Sequence, residues 1–176
     1  MKTAIFGGGC FWCTEAIFQM LKGVSKVEPG YAGGEMQNPS YEKVSVGSTG
    51  HAEVIRVTYD PAIISYEDLL TVFFGSHDST MPNRQGADVG EQYRSVIFYS
   101  DEPEKAVAEK IITEVNESLK DGTRVVTELI PFTNFYVAED YHKNYYQNNT
   151  SAPYCQIVIE PKIEKVWKRF AELVNQ

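Results

Sequence analysis

The sequence predicts an α+β domain of the α/β sandwich kind, with a central mixed β-sheet flanked by helices. Short apolar runs typical of strands alternate with longer runs whose apolar residues recur at helical spacing. With 176 residues and 43% hydrophobic content, the chain can bury one sizeable core. Because no internal repeat or charge block divides it, we expect residues 1–176 to form a single domain.

The first strand and the first helix meet at a glycine-rich turn. Residues 3–6 are an apolar run typical of a strand, and residues 16–21 predict a helix that Gly23 closes. Cys10 follows three glycines between them, so we expect its thiol at the N-terminus of a helix. The free N–H groups there stabilise anions, and the pKa of Cys10 should fall below the value of about 8.5 found for a free cysteine. A buried structural thiol is the alternative.

Predicted strands dominate the next part of the chain. Runs rich in valine predict strands at 24–31, 44–46 and 54–59. Ser65 is expected to cap a helix that continues through Phe74, because an acidic residue follows three positions later and completes a capping box.

An aperiodic stretch follows at residues 76–92. A connection of that length inside a compact domain is usually functional or disordered, and we favour a functional loop because an apolar strand resumes at 93–99. A helix capped by Ser100 or Asp101 comes next, with Pro103 in its first turn. The last predicted elements are a strand at 125–130, a short helix within 138–146 and an amphipathic helix that begins at Pro161.

The acidic composition restricts the classes of partner. A formal charge of −8 and a pI near 4.9 argue against nucleic acid or an anionic membrane, because both would repel such a surface. No apolar stretch approaches membrane-spanning length, and the run after Met1 is too short for a signal peptide. We therefore expect a cytoplasmic protein whose three cysteines are redox-active, catalytic or inert thiols and do not form a disulfide scaffold.

Cys10 and Cys13 form a C-x-x-C pair, a spacing that brings two sulfurs to one side of a helix for a reversible disulfide. The pair suggests a general dithiol-disulfide oxidoreductase, although the bulky Phe11 and Trp12 between the thiols favour an apolar pocket. A non-catalytic module that binds a peptide in an aromatic pocket is a third interpretation. No zinc site or cofactor is expected, because Cys155 stands alone and the histidines lack metal-ligand spacing. The histidines are assigned to turns or packing: His51, His77 and His142.

Five motifs, in order along the chain, resemble those of a known family, the peptide methionine-(S)-S-oxide reductases of type A. The motifs are Gly9-Cys10-Phe11-Trp12-x-x-Glu15, Gly30-Tyr31-x-Gly33-Gly34 with Asn38-Pro39-x-Tyr41-x-x-Val44, Gly50-His51-Ala52-Glu53-Val54, Asn83-Arg84-Gln85-Gly86-x-Asp88-x-Gly90-x-Gln92-Tyr93-Arg94-Ser95 and Ala138-Glu139-Asp140-Tyr141-His142. The resemblance implies a single catalytic domain that reduces methionine S-sulfoxide, free or in oxidised proteins. The corresponding fold would have a ferredoxin-like core, with the catalytic cysteine at a helix N-terminus.

The resemblance assigns a nucleophile and its proton donors. Cys10 is the implied nucleophile and Glu53 the implied acid, because a sulfoxide is attacked by a thiolate only when its oxygen is protonated or strongly hydrogen-bonded. A carboxyl in an aromatic cavity should have a raised pKa and keep its proton. Tyr41 and Tyr93 match the family's phenols, which hydrogen-bond the sulfoxide oxygen.

The same resemblance outlines a substrate pocket. Phe11 and Trp12 are the implied slot for the substrate's methyl group, and this slot would select the S-epimer. Asp88 matches a position that orients the polar side of the site, and Tyr145 is expected to line the pocket as well.

Attack on the sulfoxide would leave Cys10 as a sulfenic acid, which a second thiol must convert into a disulfide. Cys13 lies one helical turn from Cys10, whereas Cys155 is expected in a mobile C-terminal segment. The sequence leaves both open as the resolving cysteine. Thioredoxin or a similar protein is the implied partner that reduces the disulfide.

Overall fold

The computed structural model describes residues 1–176 and has the predicted α+β architecture. Its strands are β1 (Lys2–Gly7), β2 (Val24–Ala32), β3 (Ala52–Tyr59), β4 (Arg84–Gln85), β5 (Asp88–Val89), β6 (Val96–Tyr99), β7 (Glu128–Pro131) and β8 (Phe135–Val137). Its helices are α1 (Phe11–Gln19), α2 (Tyr41–Ser45), α3 (Tyr66–Ser76), α4 (Glu102–Ser118), α5 (Tyr145–Asn148) and α6 (Glu160–Arg169). None of these helices is both long and apolar enough to cross a bilayer.

Six strands form the predicted mixed sheet, in the order β7-β6-β1-β3-β2-β8. β6 and β7 pair in parallel, and every other neighbouring pair is antiparallel. β1 and β3 are central strands, so each is hydrogen-bonded on both sides. Phe6 of β1 pairs with Ile55 of β3, so Glu53 lies near the C-terminal end of β1.

The two faces of the sheet support different cores. The main core lies between the sheet and the helices α1, α3, α4 and α6, and it includes Phe6 and Ile55. A small second cluster, which includes Ile5 and Val54, covers the opposite face. Because side chains alternate along a strand, Glu53 shares the face of Ile55 and lies under the helices. This alternation decides which way the predicted acid points.

Two helix starts agree with the sequence prediction. Ser65 Oγ accepts the N–H of Asp68 at 3.0 Å, and Asp68 Oδ2 accepts the N–H of Ser65 at 3.3 Å, so both halves of the capping box are present. Asp101 caps α4 by accepting the N–H of Glu104 at 2.9 Å, and Pro103 lies in the first turn. These short-range signals depend only on neighbouring residues, which is why the sequence reveals them.

The strand predicted at 44–46 is wrong, because Tyr41–Ser45 forms the short helix α2. The side chain of Ser40 accepts the N–H of Lys43 at 3.3 Å and begins the helix. Val44 is buried against the main core. The β-branched valines favoured a strand, but the cap and the buried face of Val44 stabilise a helix instead.

Three further segments differ from the prediction. The stretch at 76–92 contains the β4–β5 hairpin and leads into a 3-10 turn at Glu91–Tyr93, so the next strand begins only at Val96. The helix expected within 138–146 is divided into a 3-10 turn at Asp140–His142 and the short helix α5. The strand predicted at 125–130 is β7, shifted toward the C-terminus.

Candidate active site

Cys10 is the residue that immediately precedes α1, and its backbone is extended, with φ −63° and ψ 129°. Gly9 enters this turn with φ +94°, and a Cβ there would lie 2.9 Å from Gln85 Cγ, so only glycine fits without strain. A Cβ at Gly7 would lie 2.8 Å from the backbone oxygen of Glu53. The glycines therefore let the turn that carries the thiol approach β3 closely.

Burial raises the pKa of the Cys10 thiol well above its ordinary value, and the nearby Cys13 and Glu53 raise it further. The N–H of Trp12 lowers this pKa, as expected for a helix N-terminus, but its effect is the smallest of the causes. The expectation of a depressed pKa is therefore wrong for the free protein. With a side chain only 7% exposed, the loss of solvation outweighs the helix N-terminus.

Glu53 lies under α1, where its Oε1 accepts the N–H of Phe11 at 3.1 Å. Its side chain is 2% exposed, and no lysine or arginine pairs with it. Burial raises the pKa of the carboxyl to about 8, although the hydrogen bond from Phe11 opposes the shift. The predicted raised pKa of Glu53 is thus present, and the carboxyl carries a proton at neutral pH.

Two phenols lie near Cys10 and Glu53. Burial raises the pKa of both Tyr41 and Tyr93, and the nearby Glu53 and Cys10 raise these values further, so both hydroxyls keep their protons. The backbone N–H of Tyr41 donates to Glu139 Oε2 at 2.9 Å. The structure therefore brings all four predicted catalytic side chains together from α2, β3, the turn at 91–93 and the start of α1.

Trp12 is held on three sides by aromatic side chains. Its indole stacks on the Tyr145 ring with 3.7 Å between centroids and 7° between planes. Tyr154 meets it edge-on at 5.7 Å. Its Nε1 donates to His142 Nδ1 at 3.0 Å. The neighbouring Phe11 is fully buried and packs on His142, with ring centroids 5.0 Å apart.

His142 is more than a packing group. Because Nδ1 accepts a hydrogen bond from Trp12, the imidazole is neutral with its proton on Nε2, and that atom is buried without a partner. Burial lowers the pKa of His142, which is consistent with the neutral form. The motif Ala138–His142 contained this residue, but only the fold shows that it contacts Trp12.

All three thiols are buried in one cluster. Cys13 and Cys155 are 1% and 0% exposed and pack with Cys10 and Ile159. Residues 155–159, which the sequence predicts to lie in a mobile segment, form a π-helical turn that continues into α6. Cys155 packs there against Cys13 and Ala16 of α1.

The thiols of the C-x-x-C pair interact directly. A hydrogen bond from Cys10 lowers the pKa of Cys13 to about 7, and the charge of Lys162 lowers it as well. Burial raises the pKa of Cys155, and the nearby Cys13 raises it further. Cys13 is therefore the thiol that is most readily ionised near neutral pH.

Tyr154 connects Asp88 to the thiols. Its hydroxyl donates to Asp88 Oδ2 at 2.8 Å and lies 3.8 Å from the sulfur of Cys13. Sequence reasoning placed Asp88 near the polar side of the site but did not single out Tyr154. Its position directly before Cys155 is the only signal in the sequence that could have identified it.

The other two histidines lie in hydrogen-bonded turns. His77 binds the backbone oxygen of Phe73 at 2.6 Å and the Ser95 hydroxyl at 2.8 Å. His51 accepts the N–H of Gly34 at 3.0 Å. No group of three or more histidine, cysteine, aspartate or glutamate side chains is arranged to hold a metal ion.

The sequence matches known proteins over nearly its whole length. A family model described as peptide methionine sulfoxide reductase matches residues 2–173. A relative from Sulfolobus acidocaldarius, described as peptide methionine sulfoxide reductase MsrA, is 53% identical over 172 residues, which cover 98% of this chain and 97% of the relative.

Two solved structures of Mxr1 from Saccharomyces cerevisiae have a similar fold. The reduced form has a TM-score of 0.81 at 35% identity and is matched over 88% of both chains. The complex with Trx2 has a TM-score of 0.57 at 25% identity, over 82% of this chain and 84% of that one.

Proposed function

The chain belongs to the peptide methionine sulfoxide reductase family, and on this basis we propose that it reduces the S-epimer of methionine sulfoxide, free or in oxidised proteins, to methionine. The observation that carries the proposed mechanism is the buried Glu53 carboxyl beside Cys10, whose pKa of about 8 leaves it protonated. A sulfoxide needs such an acid before a thiolate can attack it.

Cys10 is the proposed nucleophile even though Cys13 is more readily ionised. Glu53 accepts the N–H of Phe11, the residue next to Cys10, whereas the sulfur of Cys13 lies against the Tyr154 hydroxyl. These contacts favour Cys10 as the thiol beside the proton donor. Because the Cys10 and Cys13 side chains pack in one cluster, the Cys13 thiolate can take the Cys10 proton as the substrate is attacked.

The reaction then balances without an external oxidant or reductant. The Cys10 sulfur attacks the sulfoxide sulfur while Glu53 protonates the oxygen, with hydrogen bonds from Tyr41 and Tyr93 to the same oxygen. The oxygen passes to Cys10 as a sulfenic acid, the sulfur–oxygen bond of the substrate breaks, and methionine leaves. Phe11 and Trp12 form the proposed slot for the methyl group, with Tyr145 against the indole and Asp88 on the polar side through Tyr154.

Cys13 is the proposed first resolving cysteine, because its thiol contacts Cys10 and has the lowest pKa of the three. Condensation with the sulfenic acid forms the Cys10–Cys13 disulfide and releases water. Cys155 packs in the same cluster, and the nearby Cys13 raises its pKa. Cys155 can therefore attack the Cys13 sulfur next. The exchange forms a Cys13–Cys155 disulfide and returns Cys10 to the thiol.

Thioredoxin is the proposed reductant of that disulfide. The support comes from the related Mxr1, whose structure is known in complex with Trx2. Residues 1–176 are proposed to act as one catalytic domain with a ferredoxin-like core. The antiparallel order β6-β1-β3-β2, with α1 following β1 and α3 following β3, supports that core. A cytoplasmic location stays a prediction.

A general dithiol-disulfide oxidoreductase is the second candidate function. The low pKa of Cys13 and its contact with Cys10 favour it, because both features are typical of redox-active C-x-x-C pairs. That activity would not need a protonated acid next to Cys10, and Glu53 therefore argues for the sulfoxide. A purely binding function would need neither thiol.

A substrate panel tests the proposal. The native protein with thioredoxin should reduce methionine S-sulfoxide, leave the R-epimer and reduce insulin disulfides poorly. Cys10→Ser should abolish sulfoxide reduction, whereas the matched double variant Cys13→Ser with Cys155→Ser should still form about one methionine per protein molecule before it stops. Near-native activity of Cys10→Ser, or efficient insulin reduction without sulfoxide reduction, would contradict the proposed function.

A further inference from the structure

A second buried carboxyl, besides Glu53 of β3, is that of Glu15 on α1, outside the set proposed for the chemistry. Its side chain is 1% exposed, and its Oε2 accepts the N–H of Asn144 at 3.1 Å. The nearby backbone N–H of Tyr145 also stabilises the ionised carboxyl and opposes the rise in its pKa that burial causes. Burial of a carboxyl is unfavourable, so the backbone N–H groups of residues 144–145 are its main compensation.

No cation neutralises Glu15. A cavity of about 310 Å³ next to it is lined by two lysines, but both pair with other acids. Lys26 pairs with Glu28 at 3.3 Å, and Lys143 pairs with Asp140 at 3.0 Å. The backbone of residues 144–145 is therefore the main polar partner of the buried Glu15 carboxyl.

The turn that Glu15 holds is weak on its own. Asn144 has a left-handed backbone, with φ 54° and ψ 35°, and it precedes α5, which has only four residues. Gln19 Nε2 donates to Asn144 Oδ1 at 2.8 Å. Glu15 and Gln19 are one helical turn apart on α1, so this helix is hydrogen-bonded to both the backbone N–H and the side-chain oxygen of Asn144.

The same turn carries the ring that covers Trp12. Tyr145 begins α5 and stacks on the indole with 3.7 Å between centroids. Trp12 and Glu15 are three residues apart and lie on one side of α1. The helix α1 thus carries the Trp12 indole and also holds the backbone next to Tyr145, whose ring stacks on that indole.

We propose that Glu15 is a positioning residue that fixes the backbone at Asn144 and Tyr145, and so holds the Tyr145 ring against Trp12 in the substrate's methyl slot. The identity of the slot rests on the proposed function. The link from Glu15 to the stacked rings rests on the hydrogen bonds and distances alone.

A double-mutant cycle tests this link. Glu15→Ala and Tyr145→Ala should each raise the KM for free methionine S-sulfoxide about tenfold with kcat within about twofold, because the slot contributes mainly to binding. The double variant should be no worse than either single one, since Glu15 acts through Tyr145. Additive effects, or a loss confined to kcat, would overturn the proposal.

Fluorescence of Trp12 gives a readout that does not depend on catalysis. In a Trp167→Phe background, where the exposed second tryptophan is removed, Glu15→Ala should shift the emission as Tyr145→Ala does. Unchanged emission in Glu15→Ala would overturn the proposal. If the native protein reduces no sulfoxide, the proposed function fails, and the emission still decides the role of Glu15.

Two matched variants separate positioning from general destabilisation. Glu15→Gln keeps a carbonyl acceptor and should restore both the emission and the KM to within about threefold of native, which also covers the case in which Glu15→Ala does not fold. Glu28→Gln alters another carboxyl that lines the same cavity but is hydrogen-bonded to Arg56. It should change neither readout, and a KM shift as large as that of Glu15→Ala would contradict the specific role of Glu15.

Discussion

Two regions of the site are held in different ways. Cys10 lies at the start of α1, and Glu53 lies on β3, a central strand that is hydrogen-bonded on both sides. The C-terminal segment at 144–159, with Tyr154 and Cys155, has no strand; it contains the four-residue helix α5 and the π-helical turn that leads into α6. Side-chain contacts with α1 and Asp88 hold this segment. The difference indicates that the sheet fixes the groups proposed for the chemical step, whereas the segment carries the residues proposed to cover the substrate and recycle the thiol.

The largest expected effect lies in the region fixed by the sheet. Glu53→Gln should lower kcat/KM by about 100- to 10,000-fold, because the substituted amide cannot give a proton to the sulfoxide oxygen. The measurement is steady-state reduction of methionine S-sulfoxide, with the same substitution at Glu28 as the control. A fall of less than tenfold would place the essential acid elsewhere.

The pH dependence of kcat/KM should report two groups: Cys13, which must be ionised, and Glu53, which must be protonated. The native kcat/KM should rise as pH passes about 7, where Cys13 ionises and can accept the Cys10 proton. It should fall as pH passes about 8, where Glu53 loses its proton. Cys13→Ser should move the rising limb to higher pH, because burial raises the pKa of Cys10. A rising limb that is unmoved in Cys13→Ser would exclude Cys13 as the proton acceptor.

An intermediate effect is expected where the two regions exchange a disulfide. Without reductant, the native protein should form about two methionines per molecule, because exchange to Cys155 frees Cys10 for a second attack. Cys155→Ser should stop at about one and accumulate the Cys10–Cys13 disulfide, which peptide mass spectrometry identifies. Two methionines from Cys155→Ser would show that the proposed exchange does not occur.

The smallest effect is expected inside the C-terminal segment. Tyr154→Phe removes the hydrogen bond to Asp88 and should lower the free energy of unfolding by about 1 kcal/mol, with the rate of methionine formation in a single turnover within about threefold. Denaturant unfolding and quenched-flow measurements check the two parts. A tenfold slower chemical step would mean that Tyr154 takes part in the reaction and would remove the distinction between the two regions.

Much of the site could be predicted because its motifs lie on elements with strong local signals. The strand, glycine turn and thiol around Cys10 were located from adjacent residues, and the capping box at Ser65 was confirmed for the same reason. The strand at 44–46 was wrong because the prediction rested on two valines, whereas Ser40 caps the helix α2 there. The contacts of Glu15, His142 and Tyr154 could not be predicted, since each joins residues more than 60 positions apart.

The α+β class, the family to which the chain belongs and the residues expected around Cys10 follow from the sequence alone. The burial and protonation of these residues depend on tertiary packing. Burial raises the pKa of Cys10 against the effect of the helix N-terminus, leaves Glu53 protonated, and packs Cys155 next to Cys13. The physical reason is that solvation and hydrogen bonding depend on what surrounds a side chain, and for these residues the surroundings come from distant parts of the chain.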